Sequence, residues 1–133
     1  MYLIYLLIPF QFIMTNKNDF SLHGSWELKS IEMYKNNSLS GANEIHSQIT
    51  YNFIPNSLDT EISTGSLQIT EDGQTTSNEF VFESANEKLS INATESYTIE
   101  MNSVNEFMMV NNFDDYKMVY KFIRIKNELS EID

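Results

Sequence analysis

The chain has 133 residues, with 8 Lys and Arg against 19 Asp and Glu, a formal net charge of −11 and no cysteine. That length suits one domain, and the missing thiols exclude a disulfide scaffold, a zinc ribbon, an iron–sulfur site and a cysteine nucleophile. The acidic balance argues against nucleic acid as a partner, because phosphate binding needs clustered Lys and Arg.

Met1 to Met14 (MYLIYLLIPFQFIM) is almost continuously apolar, and the composition switches abruptly at Thr15-Asn16-Lys17-Asn18-Asp19. The run is shorter than the roughly 18–20 residues that a membrane-spanning helix needs, and it matches the apolar region of a secretory signal. Residues 1–18 are therefore expected to be a signal-peptide-like segment, although a basic start and an A-x-A cleavage site are both missing. The alternative is a hydrophobic first strand or helix, but the run has neither a period of 2 nor one of 3.6 that would dock it on a core. Its pattern resembles bacterial lipoprotein signals; Asn16 stands where their cysteine would be. The mature chain is thus expected to be exported to the periplasm, cell envelope or medium with no stable membrane anchor. Within residues 1–19 Lys17 and Asp19 balance, so the rest of the chain carries the whole excess of negative charge.

From Leu22 onward, short runs of period-2 alternation are separated by Asn, Ser, Asp and Gly clusters, the pattern of short antiparallel strands. Ser25–Tyr34 comes first, with Trp26 and Leu28 on one phase and Ile31 and Met33 on the other, which predicts a bulge or bend within the strand. Residues 35–47 are expected to be structureless apart from a helical turn near Ala42–Ile45. Gln48–Ile54 and Glu61–Thr70 follow, then an Asp72-Gly73 hairpin turn and Thr76–Glu83. Lys88–Ala93, Ser96–Met101, Glu106–Val110 and Asp115–Ile125 complete the set. Eight sequential strands with short turns predict an all-β fold, an antiparallel up-and-down eight-stranded β-barrel, since closure removes exposed sheet edges. The barrel domain is expected over 19–126 and a polar tail over 127–133.

Leu22-His23-Gly24-Ser25-Trp26-Glu27-Leu28 opens the first strand. This Gly-x-Trp at a domain start resembles the lipocalin signature, and especially the small lipocalin-like domains of secreted and envelope proteins of Bacteroidota. The ending is similar too, in Tyr97-Thr98-Ile99, Phe107-Met108-Met109-Val110 and Tyr120-Lys121-Phe122-Ile123-Arg124-Ile125. The resemblance covers roughly 22–34 and 88–125. It implies that Gly24, Trp26 and Arg124 form a structural signature, with Arg124 packed across the indole and Gly24 allowing close backbone approach beneath it.

The residues offer little to catalysis. His23 and His46 have no acidic partner at helical metal-ligand spacing, no G-x-S-x-G elbow is present, and the glycines at 24, 41, 65 and 73 form no phosphate loop. The carboxylates, Glu32 and Glu95 among them, are expected on solvated strand faces. No enzyme activity, cofactor or metal is expected. Tyr51, Phe53, Phe82, Tyr97, Met101, Met109 and Tyr120 are the candidate pocket lining for a small apolar or amphipathic ligand; the competing reading is that such side chains simply fill a small barrel. Two functions therefore stand side by side. One is an exported barrel that binds such a ligand; the other is an envelope structural or interaction module with a plugged barrel, no ligand and an unidentified protein partner.

Overall fold

The computed structural model describes residues 22–56 and 61–125. The signal-like segment at 1–18 and the polar tail at 127–133 lie outside the described residues. Among those described, nine strands follow in order: β1 (Gly24–Lys35), β2 (Ser38–Glu44), β3 (Ile49–Pro55), β4 (Ile62–Glu71), β5 (Gln74–Glu83), β6 (Lys88–Ile91), β7 (Glu95–Ser103), β8 (Glu106–Phe113) and β9 (Tyr116–Arg124). β1 and β3 to β9 pair antiparallel, each with the next, and β9 returns to β1. The result is a closed eight-stranded barrel, with β2 outside the ring on the upper half of β1. The all-β barrel read from the sequence is the fold.

β1 is the pivot. Its first residues, Gly24 to Glu27, pair with β3, and Ser30 to Lys35 pair on the same side with β2, while β9 runs along its whole length from Trp26 to Lys35. The register with β9 slips between Leu28 and Ser30, so Lys29 is the extra residue of a bulge. A bulge shifts the side-chain phase by one residue. Here it returns Ile31, opposite Tyr120, and Met33, opposite Met118, to the face that carries Trp26 and Leu28. The phase change in the sequence is real, and the bulge cancels it.

Two sequence expectations need correction. Residues 35–47 are neither structureless nor helical, for Ser38–Glu44 is a strand. All of its residues are exposed, so it has no buried face to imprint alternation on the sequence. The local signal was the turn before it: Asn36 and Asn37 have φ of 51° and 66°, the left-handed pair of a type I′ hairpin that Asn tolerates. Asp72 and Gly73, at 52° and 79°, make the equivalent turn between β4 and β5. Secondly, β6 ends at Ile91, since Asn92 and Ala93 are left-handed at 53° and 60°. Asn92 extends the ladder with its side chain instead: its N–H donates to the Glu79 carbonyl at 2.8 Å and its Oδ1 accepts the Glu79 N–H at 2.9 Å.

The interior is graded from one end to the other. At the lower end, where β1 begins and β9 finishes, Trp26, Phe53, Phe107 and Phe122 are buried to 2% exposure or less, with Leu67, Leu89, Ile99 and Met109 packed beside them. Phe107 stands edge-on to Trp26 at 4.5 Å between centroids and stacks on Phe122 at 4.8 Å, and Phe53 meets Phe80 edge-on at 5.2 Å. Each such ring contributes about 1.5–3 kcal/mol through burial. Leu22 seals the base, its carbonyl accepting the Trp26 Nε1–H at 2.9 Å. Towards the other end the inward side chains Ile31, Ile49, Tyr51, Ile69 and Tyr120 are only partly buried against this core.

Candidate functional site

The half-buried residues define the mouth of the barrel. Period-2 geometry aims them inward: Ile49 and Tyr51 share the inner face of β3 with buried Phe53, Ile69 that of β4 with buried Leu67, and on β7 Tyr97 and Ile99 point inward and are buried. On β9 the same alternation aims Tyr120 and Phe122 inward, and the Lys29 bulge supplies Ile31 opposite Tyr120. The mouth therefore has aliphatic walls from Ile31, Ile49 and Ile69, with Tyr51, Tyr97 and Tyr120 among them.

The three phenols form one cluster. Tyr97 and Tyr120 have ring centroids 6.0 Å apart and planes at 86°, and Tyr51 stands edge-on to Phe122 at 4.8 Å. The Tyr97 hydroxyl donates to Glu95 Oε1 at 2.5 Å. No described residue hydrogen-bonds the Tyr51 or Tyr120 hydroxyl, which leaves two phenolic donors for something else. Burial pushes Tyr51 up to about 12, reinforced by the nearby Tyr120, Glu95 and Glu71. Burial and then the bond to Glu95 raise Tyr97 well above the ordinary phenol value, and burial followed by the Glu95 charge raises Tyr120. All three therefore present neutral O–H groups over the range in which proteins work. Neutral phenols beside half-buried apolar side chains are suited to orienting an amphipathic molecule by its polar end.

The sequence candidates divide between the two ends. Tyr51, Tyr97 and Tyr120 come together at the mouth. Phe53, Phe82 and Met109 lie in the packed interior at 1%, 8% and 1% exposure, and the Tyr97 ring, at 8%, is as buried as Phe82 although its hydroxyl reaches Glu95. Met101 is half-buried opposite Phe107, near the base. The signature residues close the base: the Arg124 guanidinium carbon lies 4.1 Å from the Trp26 ring centroid. Gly24, at φ 101°, makes room for the guanidinium, since a Cβ there would stand 3.1 Å from Arg124 Nη1. Its expected role beneath the indole is thus carried out against the arginine.

Glu95 is solvated as expected, but its outward phase needs correction. It is exposed at the rim, but it shares a strand face with inward-pointing Tyr97 and accepts that residue's hydrogen bond. The available signal was Glu-x-Tyr, because residues two apart on a strand share a face. Ile31 was missed because the bulge had to be placed first, and Ile69 because nothing in its own run marks it as the last before the rim.

A second surface feature has a different character. An open hollow of about 800 Å³ beside β4 and β5 is lined largely by polar residues, including Thr64, Ser66, Ser77, Glu79 and Asn92. Phe80 and Val81 also reach it, but Tyr51, Phe53, Phe82, Tyr97, Met101, Met109 and Tyr120 do not line it. Among the described residues no three His, Asp or Glu side chains converge on a point that would hold a metal.

No protein-family model matches the chain, and no curated protein or solved structure matches it.

Proposed function

We propose that the protein is an exported, non-enzymatic barrel of the lipocalin-like kind that takes a small apolar or amphipathic ligand through the tyrosine-lined mouth. The observation that carries this reading is the gradient of burial: a base sealed by Leu22, Trp26 and Arg124, and an upper end where apolar side chains remain half-exposed beside two unbonded phenols. Half-exposed apolar side chains gain free energy when an apolar group covers them. The Gly24-Ser25-Trp26 opening and the Arg124 ending support the lipocalin-like affiliation, and the apolar stretch at 1–14 supports export. The negative charge supports the absence of a nucleic-acid partner. No cofactor enters this reading.

The packed lower interior favours a second reading, in which the barrel is plugged and serves as a structural or interaction module of the envelope. Titration with the uncharged fluorophore N-phenyl-1-naphthylamine separates the two. Saturable enhancement of its emission, displaced by a decyl-chain amphiphile and weakened in an Ile69→Asp variant that still folds, supports the ligand-binding barrel. An unchanged emission spectrum supports the plugged module.

A further inference from the structure

Glu-x-Tyr occurs twice on strands of this barrel, and the two copies are treated differently. On β1, Tyr34 donates to Glu32 Oε1 at 2.8 Å, and Lys121 Nζ binds the other carboxylate oxygen at 3.1 Å. Lys117 Nζ lies 6.0 Å from the Tyr34 ring centroid. That copy is complete: a carboxylate, a phenol and cations supplied by β9, which pairs with β1. On β7, Tyr97 donates to Glu95 in the same way, yet among the described residues no Lys, Arg or His pairs with Glu95. Its surroundings are aromatic instead, with Tyr97 and Tyr120 at right angles and Tyr51 close enough to feel both Tyr120 and Glu95.

Aromatic faces beside an uncompensated carboxylate attract a cation and disfavour an anion, because the ring face and the carboxylate present the same sign of charge. We infer that the mouth selects an amphiphile with an ammonium head, held against Tyr51, Tyr97 and Tyr120 with Glu95 as counter-charge, and with its apolar tail against Ile31, Ile49 and Ile69. The inference rests on the ligand-binding reading above and adds the chemistry of the head group. Phenols alone would accept an anionic head by donating to it; Glu95, and Glu71 beyond it, oppose that choice, as does the chain's charge of −11.

The test uses decyltrimethylammonium, decanol and decyl sulfate below their micelle-forming concentrations, each titrated calorimetrically into the protein. The ammonium probe should bind roughly three- to thirtyfold more tightly than decanol, and the sulfate most weakly. Glu95→Gln should remove most of that preference, read as the ratio of ammonium-probe to decanol affinity in the same variant. Glu32→Gln deletes an equal charge on the outer face and should leave the preference intact. Decanol or the sulfate binding at least as tightly as the ammonium probe would overturn the head-group assignment and leave the ligand-binding reading standing, as would equal losses in the two variants. If none of the three probes binds, the ligand-binding reading itself fails, and this inference with it.

Discussion

Arg124 and Trp26 hold each other at the base of the barrel: the guanidinium lies 4.1 Å from the indole centroid, while its Nη1 and Nε donate to the carbonyls of His23 and Val104 at 3.0 and 3.1 Å. One side chain thus ties the last strand to the residue before β1 and to the β7–β8 turn. Burial holds its pKa below the ordinary guanidinium value. A lysine keeps the charge but cannot lie flat on the ring while reaching both carbonyls. Arg124→Lys should therefore cost about 1–3 kcal/mol, read as a lower urea midpoint. An unchanged midpoint would mean that the plug is incidental.

At Gly65 the backbone of β3 leaves no room for a side chain on β4. It pairs with Pro55, and a Cβ at position 65 would stand 2.1 Å from the Ile54 carbonyl oxygen and 2.7 Å from the Pro55 Cα. Backbone cannot yield as a flexible side-chain tip can. Gly65→Ala should destabilise the fold by about 2 kcal/mol or more, visible as a lower Tm. The contrasting Gly41→Ala, with nothing within 4 Å of its Cβ, should leave Tm nearly unchanged.

The bulge at Lys29 makes a sharper prediction. Deleting that residue removes the phase correction, so either Trp26 and Leu28 or Ile31 and Met33 must turn outward. The deletion variant should lose cooperative unfolding, whereas Lys29→Ala, which keeps the residue count, should stay within about 0.5 kcal/mol of the parent. Equal stability of the deletion and the parent would refute this account of β1.

The mouth predicts an alkaline transition. Tyr51, Tyr97 and Tyr120 have folded pKa values above the unfolded value of about 10. A raised pKa means the fold favours the neutral phenol, so their contribution is complete below pH about 10 and falls as pH climbs through the folded values, about 12 for Tyr51. Phenolate absorbance followed alongside circular dichroism should show these groups ionising late and together with unfolding, and Tyr51→Phe should diminish that late phase. Ionisation of every tyrosine near pH 10 in a still-folded protein would contradict the packing at the mouth.

Much of the barrel was legible because strand alternation records which side of a wall each residue faces. Phe53, Leu67, Phe80 and Phe122 are all inward, as their runs imply. β2 left no such record, since neither of its faces is buried and backbone pairing to β1 holds it. The site was half legible. Alternation aims Tyr51, Tyr97 and Tyr120 inward but does not say how far along the bore each sits, which depends on the stagger between strands. Trp26 opposes Tyr51 on one side and Arg124 on the other, so a core residue, a mouth residue and a basal residue share one line of register. For that reason Phe53 and Tyr51, two residues apart on one strand, belong to the packed core and to its half-buried upper edge respectively. Glu95 was hidden by its type, since an acidic residue on a strand is by default a solvated one.

The most direct test of the central claim is a map of amide and methyl chemical shifts in the folded protein titrated with decanol. The account predicts saturable shifts at Ile31, Ile49, Ile69, Tyr51, Tyr97 and Tyr120, with Leu22 and Trp26 at the sealed base unmoved. Shifts confined to the base or to the Thr64 and Ser77 hollow, or no shifts at saturating decanol, would contradict it.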